Sequence, residues 1–337
     1  MEKNTVSLDS VVVVIPYFNG SETIERALES IRIQTVKPSE VIVVDDGSTK
    51  EESERLEHIG SNFSIVIIKQ INGGQGSARN TGVLNSSSNF ICFLDQDDFF
   101  AHDHIEILLG AIPSDRTKFG WAYGNLSEAD FEGNTIRTRM ITDYAEHPKT
   151  RLHNMIRGDM FILPSASIIS RKAFLAINGF DTQFTGYEDD DLFMRLFRAG
   201  FRNFFVDQPV ATWCMHTGST SHSFRMTRSR YRYFLKLIEQ FPDDLVNNVF
   251  YSRDLLIPRF HKIFFSEVRR CVFRGFFKNH RAELFDLYLS FSRIALLCNY
   301  KSNKFRLKIV LRHIFVLMAR KIFRSYDGRA MKNIKGF

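Results

Sequence analysis

The 337-residue sequence predicts an α/β fold with a Rossmann-like, mostly parallel sheet and a C-terminal helical appendage. Two observations predict the sheet: β-branched runs alternate with segments of helical periodicity, and acidic residues follow directly after two of these runs. A third observation separates the C-terminal part. Residues 225–337 hold 25 Lys and Arg against 8 Asp and Glu, whereas residues 1–224 hold 20 and 30. We therefore predict two regions, 1–224 and 225–337, with different functional surfaces.

The first half supplies the predicted parallel strands. Four apolar runs have the composition of strands buried on both faces: Val11–Ile15, Glu40–Val44, Ile65–Ile68 and Phe90–Leu94. Pro16 is expected to end the first of them, because proline cannot donate a ladder hydrogen bond. Helices are expected over Glu22–Gln34, capped by Ser21, and over Ser77–Leu84.

The second half of the first region has a different pattern. Strands are expected at Phe119–Tyr123, Ala166–Ile169 and Val210–Cys214, with a hairpin turn at residues 130–134. A helix is expected over Asp189–Ala199, ended by Gly200. From Arg225 onward the pattern is helical, Phe-rich and basic, with breaks at Pro242 and Pro258.

Composition excludes several classes of protein. A hydrophobic share of 44% excludes wholesale disorder. The four cysteines are far apart and form no CxxC pair, so reduced thiols and a cytoplasmic location are expected. We expect neither a signal peptide nor a transmembrane helix, because the N-terminus lacks a basic and then apolar stretch and no run of about 18 apolar residues exists.

Acidic side chains follow two of the predicted strands. Asp45 and Asp46 come after the second strand, and residues 95–98, Asp-Gln-Asp-Asp, come after the fourth. The carboxyl ends of parallel strands meet at one edge of a sheet, where ligands bind in open α/β folds. A single acidic strand end is often only a solvated turn. Alternate carboxylates crowded on an extended segment instead favour a hard divalent cation, so residues 95–98 predict a Mg²⁺ or Mn²⁺ site.

Three further segments each have a functional and a purely structural interpretation. Residues 72–82 form a Gly-rich loop that enters a helix and lacks the Walker and dinucleotide patterns; Arg79 within it is either a ligand contact or a surface residue. Residues 188–191, Glu-Asp-Asp-Asp, begin a helix, where acids complement the dipole, but four acids exceed that need and one or two could act as a base. His216 is either an added cation ligand or an ordinary hydrogen-bonded residue.

In their order along one chain, these segments resemble the inverting family 2 glycosyltransferases of the GT-A, or nucleotide-diphospho-sugar transferase, fold. The resemblance runs from Val11 to about Ser221 and rests on six segments: Val-Val-Ile-Pro-Tyr-Phe-Asn (13–19), Val-Val-Asp-Asp-Gly-Ser (43–48), Asn-x-Gly-x-x-x-Ala-Arg-Asn-x-Gly (72–82), Phe-Leu-Asp-x-Asp-Asp (93–98), Glu-Asp-x-Asp-Leu-x-x-Arg-Leu (188–196) and His-x-x-Ser-x-Ser (216–221).

The resemblance implies roles for individual residues. It implies nucleotide-sugar binding by Pro16, Tyr17, Asp46, Arg79, Asp95, Gln96 and Asp98. It implies Mn²⁺ or Mg²⁺ binding by Asp97, Asp95 and His216. It implies a catalytic base at Asp189, with Glu188 beside it. Asp190 departs from the family pattern and leaves the base open among Glu188, Asp189 and Asp191.

The implied activity is metal-dependent, inverting transfer of a sugar from a nucleotide diphosphate donor, a UDP-sugar in particular. Residues of about 1–120 would bind the donor, and residues of about 121–224 a glycan or lipid-linked glycan of surface polysaccharide or lipopolysaccharide synthesis. One alternative is a catalytically silent sugar-nucleotide-binding or scaffold protein on this fold. Another is a nucleotidyltransferase, which would release pyrophosphate. Retention of Asp97, Asp189 and His216 argues against the silent protein.

The basic C-terminal region has two interpretations. Residues 304–324 interleave cations with Phe, Leu, Ile and Val, a pattern typical of a helix lying on an anionic membrane, here the inner face of the plasma membrane. The alternative is an appendage that packs its apolar side on the catalytic domain. No nucleic-acid-binding module is recognisable, so no nucleic-acid partner is expected.

Overall fold

The computed structural model describes residues 9–215, 223–298, 300 and 303–334, with side chains as far as residue 324. The chain divides into two compact units. One consists of Met1–Met155 and Asp159–His222, and the other of Ile156–Gly158 and Ser223–Phe337.

A single mixed sheet forms the centre of the first unit. Within the described residues it has nine strands: β1 (Val11–Tyr17), β2 (Glu40–Asp45), β3 (Val66–Lys69), β4 (Phe90–Phe93), β5 (Phe99–Phe100), β6 (Phe119–Ala129), β7 (Thr135–Arg137), β8 (Ser167–Ser170) and β9 (Arg202–Cys214). The strand order is β3-β2-β1-β4-β8-β6-β9-β5, and β7 pairs with β6.

Helices cover this sheet and connect its strands. Those before residue 200 are α1 (Ile24–Arg32), α2 (Lys50–Gly60), α3 (Gln75–Leu84), α4 (His104–Gly110), α5 (Met140–Tyr144), α6 (Leu152–Arg157), α7 (Arg171–Ala176) and α8 (Glu188–Arg198). Helix α1 buries Ile24, Ala27, Leu28 and Ile31, the apolar positions that its sequence spacing predicts. Gly200, at a φ of +84°, follows the end of α8, as predicted.

The α/β prediction is confirmed, but the parallel pairing is confined to two parts of the sheet. Strands β3, β2, β1 and β4 are parallel neighbours, and β6 is parallel to β9. Strand β8 is antiparallel to both β4 and β6 and joins the two parts. The predicted hairpin is present, because β6 and β7 pair through the turn at residues 130–134.

The prediction that Pro16 ends the first strand was wrong. Strand β1 continues to Tyr17, and Pro16 and Tyr17 pair with Val44 and Asp45 of β2. The reason is the side to which each peptide group points. Val14 accepts a hydrogen bond from Leu94 on the β4 side, and Tyr17 accepts one from Asp46 on the β2 side. Pro16 therefore faces the β4 side, where its missing N–H coincides with the end of the pairing between β1 and β4, while the pairing with β2 continues.

The second unit is helical, as predicted. Its long helices are α9 (Phe224–Gln240), α10 (Ile257–Arg274), α11 (Arg281–Leu297) and α12 (Asn303–Ile334). Aromatic rings hold the first three together: Phe234 lies 5.2 Å from Phe260 and 4.9 Å from Phe291 between ring centroids. Pro258 does not break a helix: it is the second residue of α10, which continues directly from a π-helical turn at Ser252–Leu256. Among the helices of the described residues, none is long and apolar enough to cross a membrane.

Candidate active site

The strand-end carboxylate Asp95 is fixed by two residues of α3. Its Oδ1 accepts hydrogen bonds from Arg79 Nη2 at 2.6 Å and from Gln75 Nε2 at 2.7 Å. Both donors come from the Gly-rich segment singled out in the sequence. That segment therefore positions an acid of residues 95–98 in this structure.

Arg79 joins two segments that are far apart in the chain. Its guanidinium is 3% exposed, and its Nη1 lies 3.5 Å from Glu188 Oε1 while its Nη2 binds Asp95. The rings of Phe93 and Phe180 lie 5.9 and 5.2 Å from its Cζ. Burial disfavours the charged guanidinium, but the charges of Asp95 and Glu188 outweigh it and hold the pKa of Arg79 above its ordinary value.

The four acids at the start of α8 have different partners. Glu188 contacts Arg79 and accepts a hydrogen bond from the Gly186 N–H at 2.7 Å. Asp190 accepts one from the Met160 N–H at 3.0 Å, and Asp191 pairs with Arg195 at 2.7 Å. Glu188, Asp190 and Asp191 are buried, whereas Asp189 is partly exposed.

Asp189 has the electrostatic character of a base. Its carboxylate accepts a hydrogen bond from the Asp190 N–H at 2.8 Å. Burial, followed by the charges of Asp190 and Glu188, raises the pKa of Asp189 well above its usual range, while Arg79 opposes the shift. A carboxylate with a raised pKa accepts a proton more readily near neutral pH.

The carboxylates of residues 95–98 are crowded. Asp98 is buried and its Oδ1 accepts a hydrogen bond from the Cys214 N–H at 2.9 Å. Burial first, and then the charges of Asp97 and Asp95, raise the pKa of Asp98 well above its usual range. A cation beside these oxygens would relieve their repulsion.

The acids after β4 supply the ligand type of a cation that completes its coordination with substrate. Among the residues that the structure describes, no group of three or more His, Cys, Asp or Glu side chains is placed to hold a metal ion. Mg²⁺ commonly binds through only one or two carboxylates, with water and substrate phosphates completing its shell. Asp97 and Asp95 are the candidates for such a smaller set, and His216 lies outside the described residues.

Asp46 holds the Gly-rich loop. Its Oδ1 accepts hydrogen bonds from Gln70 Nε2 at 2.7 Å and from the Gly73 N–H at 2.8 Å, and its Oδ2 accepts one from the Gly74 N–H at 2.8 Å. Both carboxylate oxygens of Asp46, which the resemblance assigns to nucleotide-sugar binding, therefore already have partners. A bound nucleotide would have to share them.

The expected nucleotide contact of Tyr17 does not agree with its burial. Tyr17 is fully buried, as is Pro16, and the Tyr17 hydroxyl donates to the Glu52 carboxylate at 3.1 Å. The next residue, Phe18, is 47% exposed at the strand end. Phe18 is thus the aromatic side chain that this segment offers to a ligand, because pairing with β2 keeps Tyr17 within the sheet.

Gln96 fixes the loop that carries Phe18. Its Oε1 accepts from the Phe18 N–H at 2.8 Å, and its Nε2 donates to the Phe18 carbonyl at 3.2 Å. A Cβ on Gly20 would lie 2.3 Å from the Gln96 amide, so a larger residue there would displace the Gln96 side chain. In this structure Gln96 positions the β1–α1 loop.

Sequence reasoning missed four residues at this site. Phe18 and Gln75 lie inside segments that the sequence analysis had identified. The sequence does not show that Phe18 is exposed or that Gln75 donates to Asp95. Gln70 and Arg26 carried no signal: Gln70 is isolated in the sequence, and Arg26 of α1 donates to the Asp97 carbonyl at 2.7 Å.

Two family matches cover most of the first unit. Residues 12–177 match the family described as Glycosyl transferase family 2, and residues 162–222 match the one described as N-terminal domain of galactosyltransferase. Residues 12–177 form a glycosyl transferase family 2 domain. The predicted family is thereby confirmed, and the two matches include residues 95–98 and 188–191 respectively.

The chain is similar to bacterial glycosyltransferases. It is 27% identical over 220 residues to the amylovoran biosynthesis glycosyltransferase AmsB of Erwinia amylovora. The aligned region covers 62% of this chain and 70% of AmsB. It is 38% identical over 101 residues to glycosyltransferase GlyA of Streptococcus pneumoniae, and this aligned region covers 30% of this chain and 14% of GlyA. The chain thus spans a small part of GlyA's length.

A solved structure confirms the fold. The crystal structure of S. aureus TarS 1-349 in complex with UDP-GlcNAc matches with a TM-score of 0.64 at 15% identity, covering 94% of this chain and 92% of that one. The GT-A prediction is therefore confirmed at the level of fold.

Proposed function

We propose that this chain is a metal-dependent, inverting glycosyltransferase that uses a nucleotide diphosphate sugar. The observation that supports this most strongly is the Arg79 bridge, which brings the acids after β4 and the acids of α8 to one site. Sugar transfer needs these two acidic groups together, because one must face the departing diphosphate and the other the attacking hydroxyl.

The donor side is assigned to the acids after β4. Asp97 and Asp95, joined by His216, would hold Mn²⁺ or Mg²⁺. The bound cation would offset the negative charge that the departing nucleoside diphosphate gains. Phe18 offers an aromatic face to the nucleobase, and Gln96 fixes the backbone that carries it.

The acceptor side is assigned to Asp189. The acceptor oxygen forms a bond to the anomeric carbon while the bond to the diphosphate breaks on the opposite face. Asp189 takes the acceptor proton, and such general-base help accelerates a reaction by about 10²–10⁴-fold. One displacement inverts the centre, so an α-linked donor yields a β-glycoside without a covalent enzyme intermediate.

The relatives support the choice of donor and setting. The TarS structure contains UDP-GlcNAc, and AmsB is named for amylovoran biosynthesis. We assign a UDP-sugar as donor and a glycan or lipid-linked glycan of surface polysaccharide or lipopolysaccharide synthesis as acceptor. The proposed place of action is the cytoplasm, with peripheral contact at the inner face of the plasma membrane.

Donor turnover tests this proposal. Purified protein is incubated with a panel of nucleotide sugars, with Mn²⁺, Mg²⁺ or EDTA, and the released nucleotide is identified. We expect cation-dependent release of a nucleoside diphosphate, abolished in Asp97→Ala and kept in Glu51→Ala, which removes an exposed acid of α2. Release of pyrophosphate would indicate a nucleotidyltransferase. Donor binding with no release under any condition would indicate a silent binding protein.

A further inference from the structure

Helix α12 is held to the rest of the second unit by one of its faces. Ile309, Val316 and Ala319 are buried on that face. Arg320 of α12 pairs with Asp286 of α11 at 2.5 Å, and His313 Nδ1 lies 2.7 Å from Ser292 Oγ. One apolar side of α12 is therefore accounted for by packing on neighbouring helices.

The opposite face of α12 is also apolar, and it is exposed. Its side chains are between 45% and 58% exposed: Leu307, Leu311, Ile314, Met318 and Ile322. Steps of four, three, four and four residues place these side chains on one stripe along the helix. Since each residue turns a helix by about 100°, Leu311 and Met318 lie about 200° around from the buried Ile309 and Val316. We call these five residues the exposed stripe.

Cations flank the exposed stripe. Residues 303–324 contain seven Lys and Arg and neither Asp nor Glu. Lys304 and Lys308 lie along one flank by helical position and Lys321 along the other, and all three are exposed. An apolar stripe with basic flanks is the pattern of a helix that lies in a membrane interface.

We propose that the exposed stripe docks α12 on an anionic lipid bilayer, parallel to its surface. This inference deepens the membrane contact of the proposed function by naming the surface that makes it. The flanking charges select the occupant: they attract anionic headgroups, whereas the same face of a second copy would meet like charges. The stripe extends for about 22 Å at 1.5 Å per residue, which suits shallow insertion along the interface.

Vesicle flotation of the full chain tests the proposal. Vesicles of phosphatidylcholine alone are compared with vesicles of phosphatidylcholine and phosphatidylglycerol in equal parts, at low and high salt. We expect binding to the anionic vesicles that weakens with salt without vanishing, because salt screens the attraction of the lysines but not apolar insertion. Neutral vesicles should bind poorly.

Two pairs of variants separate the contributions. Leu311→Ser with Met318→Ser should weaken binding by about tenfold or more, because two apolar side chains no longer leave water. The matched control is Leu245→Ser with Val246→Ser, which removes two exposed apolar side chains elsewhere in the second unit and should leave binding unchanged. Lys308→Gln with Lys321→Gln should remove much of the salt-sensitive binding to anionic vesicles. Its control, Lys262→Gln with Lys278→Gln, removes the same charge outside α12 and should reduce that binding less.

Three results would overturn the proposal. The first is full vesicle binding by the Leu311→Ser, Met318→Ser variant, and the second is equal loss of binding in this variant and its apolar control. The third is a concentration-dependent dimer of the unsubstituted chain that the Leu311→Ser, Met318→Ser variant no longer forms, which would assign the stripe to a second copy. Circular dichroism of each variant establishes that it is folded. Vesicle binding is measured without donor or acceptor, so its failure would leave the transferase proposal intact, and an inactive protein could still confirm the stripe.

Discussion

The acids of residues 188–191 differ in chemistry because their partners differ. Arg79 contacts Glu188, the Met160 N–H donates to Asp190, and Arg195 pairs with Asp191. Asp189 combines partial exposure with a raised pKa. The local sequence leaves three candidates for a base, and the bonding of each side chain favours Asp189.

Replacing Asp189 with Asn should abolish sugar transfer and leave donor affinity nearly intact. The amide keeps the shape of the side chain but cannot accept the acceptor proton. Calorimetric titration with donor, beside turnover with acceptor, separates the two effects. Equal loss of affinity and turnover would instead place Asp189 in the donor site, and an inactive Asp191→Asn beside an active Asp189→Asn would move the base to Asp191.

The dependence of the transfer rate on pH should reflect the raised pKa of Asp189. A base works in its ionised form, so transfer should fall as pH falls, at a pH above the value of about 3.9 that an ordinary Asp would give. The charges of Asp190 and Glu188 contribute to the upward shift. Asp190→Asn removes one of them and keeps an acceptor for the Met160 N–H, so the inflection should move to lower pH. An unmoved inflection would exclude Asp189 as the titrating group.

Gln96 should control donor affinity without taking part in the chemistry. Gln96→Ala removes both hydrogen bonds to the Phe18 backbone. At about 1 kcal/mol each, we expect donor binding to be weaker by up to roughly thirtyfold. The maximal rate should change little. The exposed Gln208→Ala serves as the control in donor titrations. Unchanged affinity in Gln96→Ala would show that the loop keeps its position without this clamp.

The contact between α3 and β1 sets how closely helix and sheet approach. Gly82 of α3 lies against Val14, and a Cβ at position 82 would be 2.3 Å from Val14 Cγ1. This approach brings the helix that carries Gln75 and Arg79 close to the strand ends. Glycine at position 82 permits this approach, because a side chain there would meet Val14.

Gly82→Ala should therefore destabilise the protein by about 1–3 kcal/mol, since overpacking displaces α3 from β1. Gly110→Ala is the matched control, because a Cβ there meets nothing within 4 Å. We expect that control to be neutral or to stabilise by about 0.4–1 kcal/mol. Urea denaturation measures both, and equal stability of the two variants would contradict the close-packing argument.

Across the first unit, Arg79 connects the acids after β4 with the start of α8, because it contacts both Asp95 and the distant Glu188. Glu188 lies 109 positions further along the chain than Arg79. Arg79→Met should cost about 3–5 kcal/mol of stability, because it leaves the two carboxylates without their cation. Arg79→Lys should not rescue transfer, since an ammonium is a point charge and cannot span both acids as a guanidinium does.

Arg55→Met is the control for this experiment. Arg55 pairs with Glu52 while 66% exposed, and such surface pairs contribute about 0–1 kcal/mol. Denaturation of the two variants side by side, together with donor turnover, measures the difference. Comparable stability losses at Arg79 and Arg55 would mean that the buried bridge does not hold the two acidic segments together.

Much of the first unit could be predicted because its signals are local. The runs beginning at Val11, Glu40 and Phe90 are buried strands, and α1 buries the face that its periodicity indicates. The acids after the fourth strand lie at its end, as expected. Strand and helix periodicity depends only on neighbouring residues, so it can be detected without knowing the fold.

The sequence by itself determined the α/β class, the acidic strand ends, the family and the basic C-terminal region. Tertiary structure alone decided which aromatic residue of the pair 17–18 is exposed, because pairing of β1 with β2 buries Tyr17 and leaves Phe18 outside. It decided that Arg79 joins Asp95 to Glu188, and which of the two apolar faces of α12 is packed. The physical reason is the same in each case: partners distant in the chain choose among side chains that are equivalent by composition and spacing.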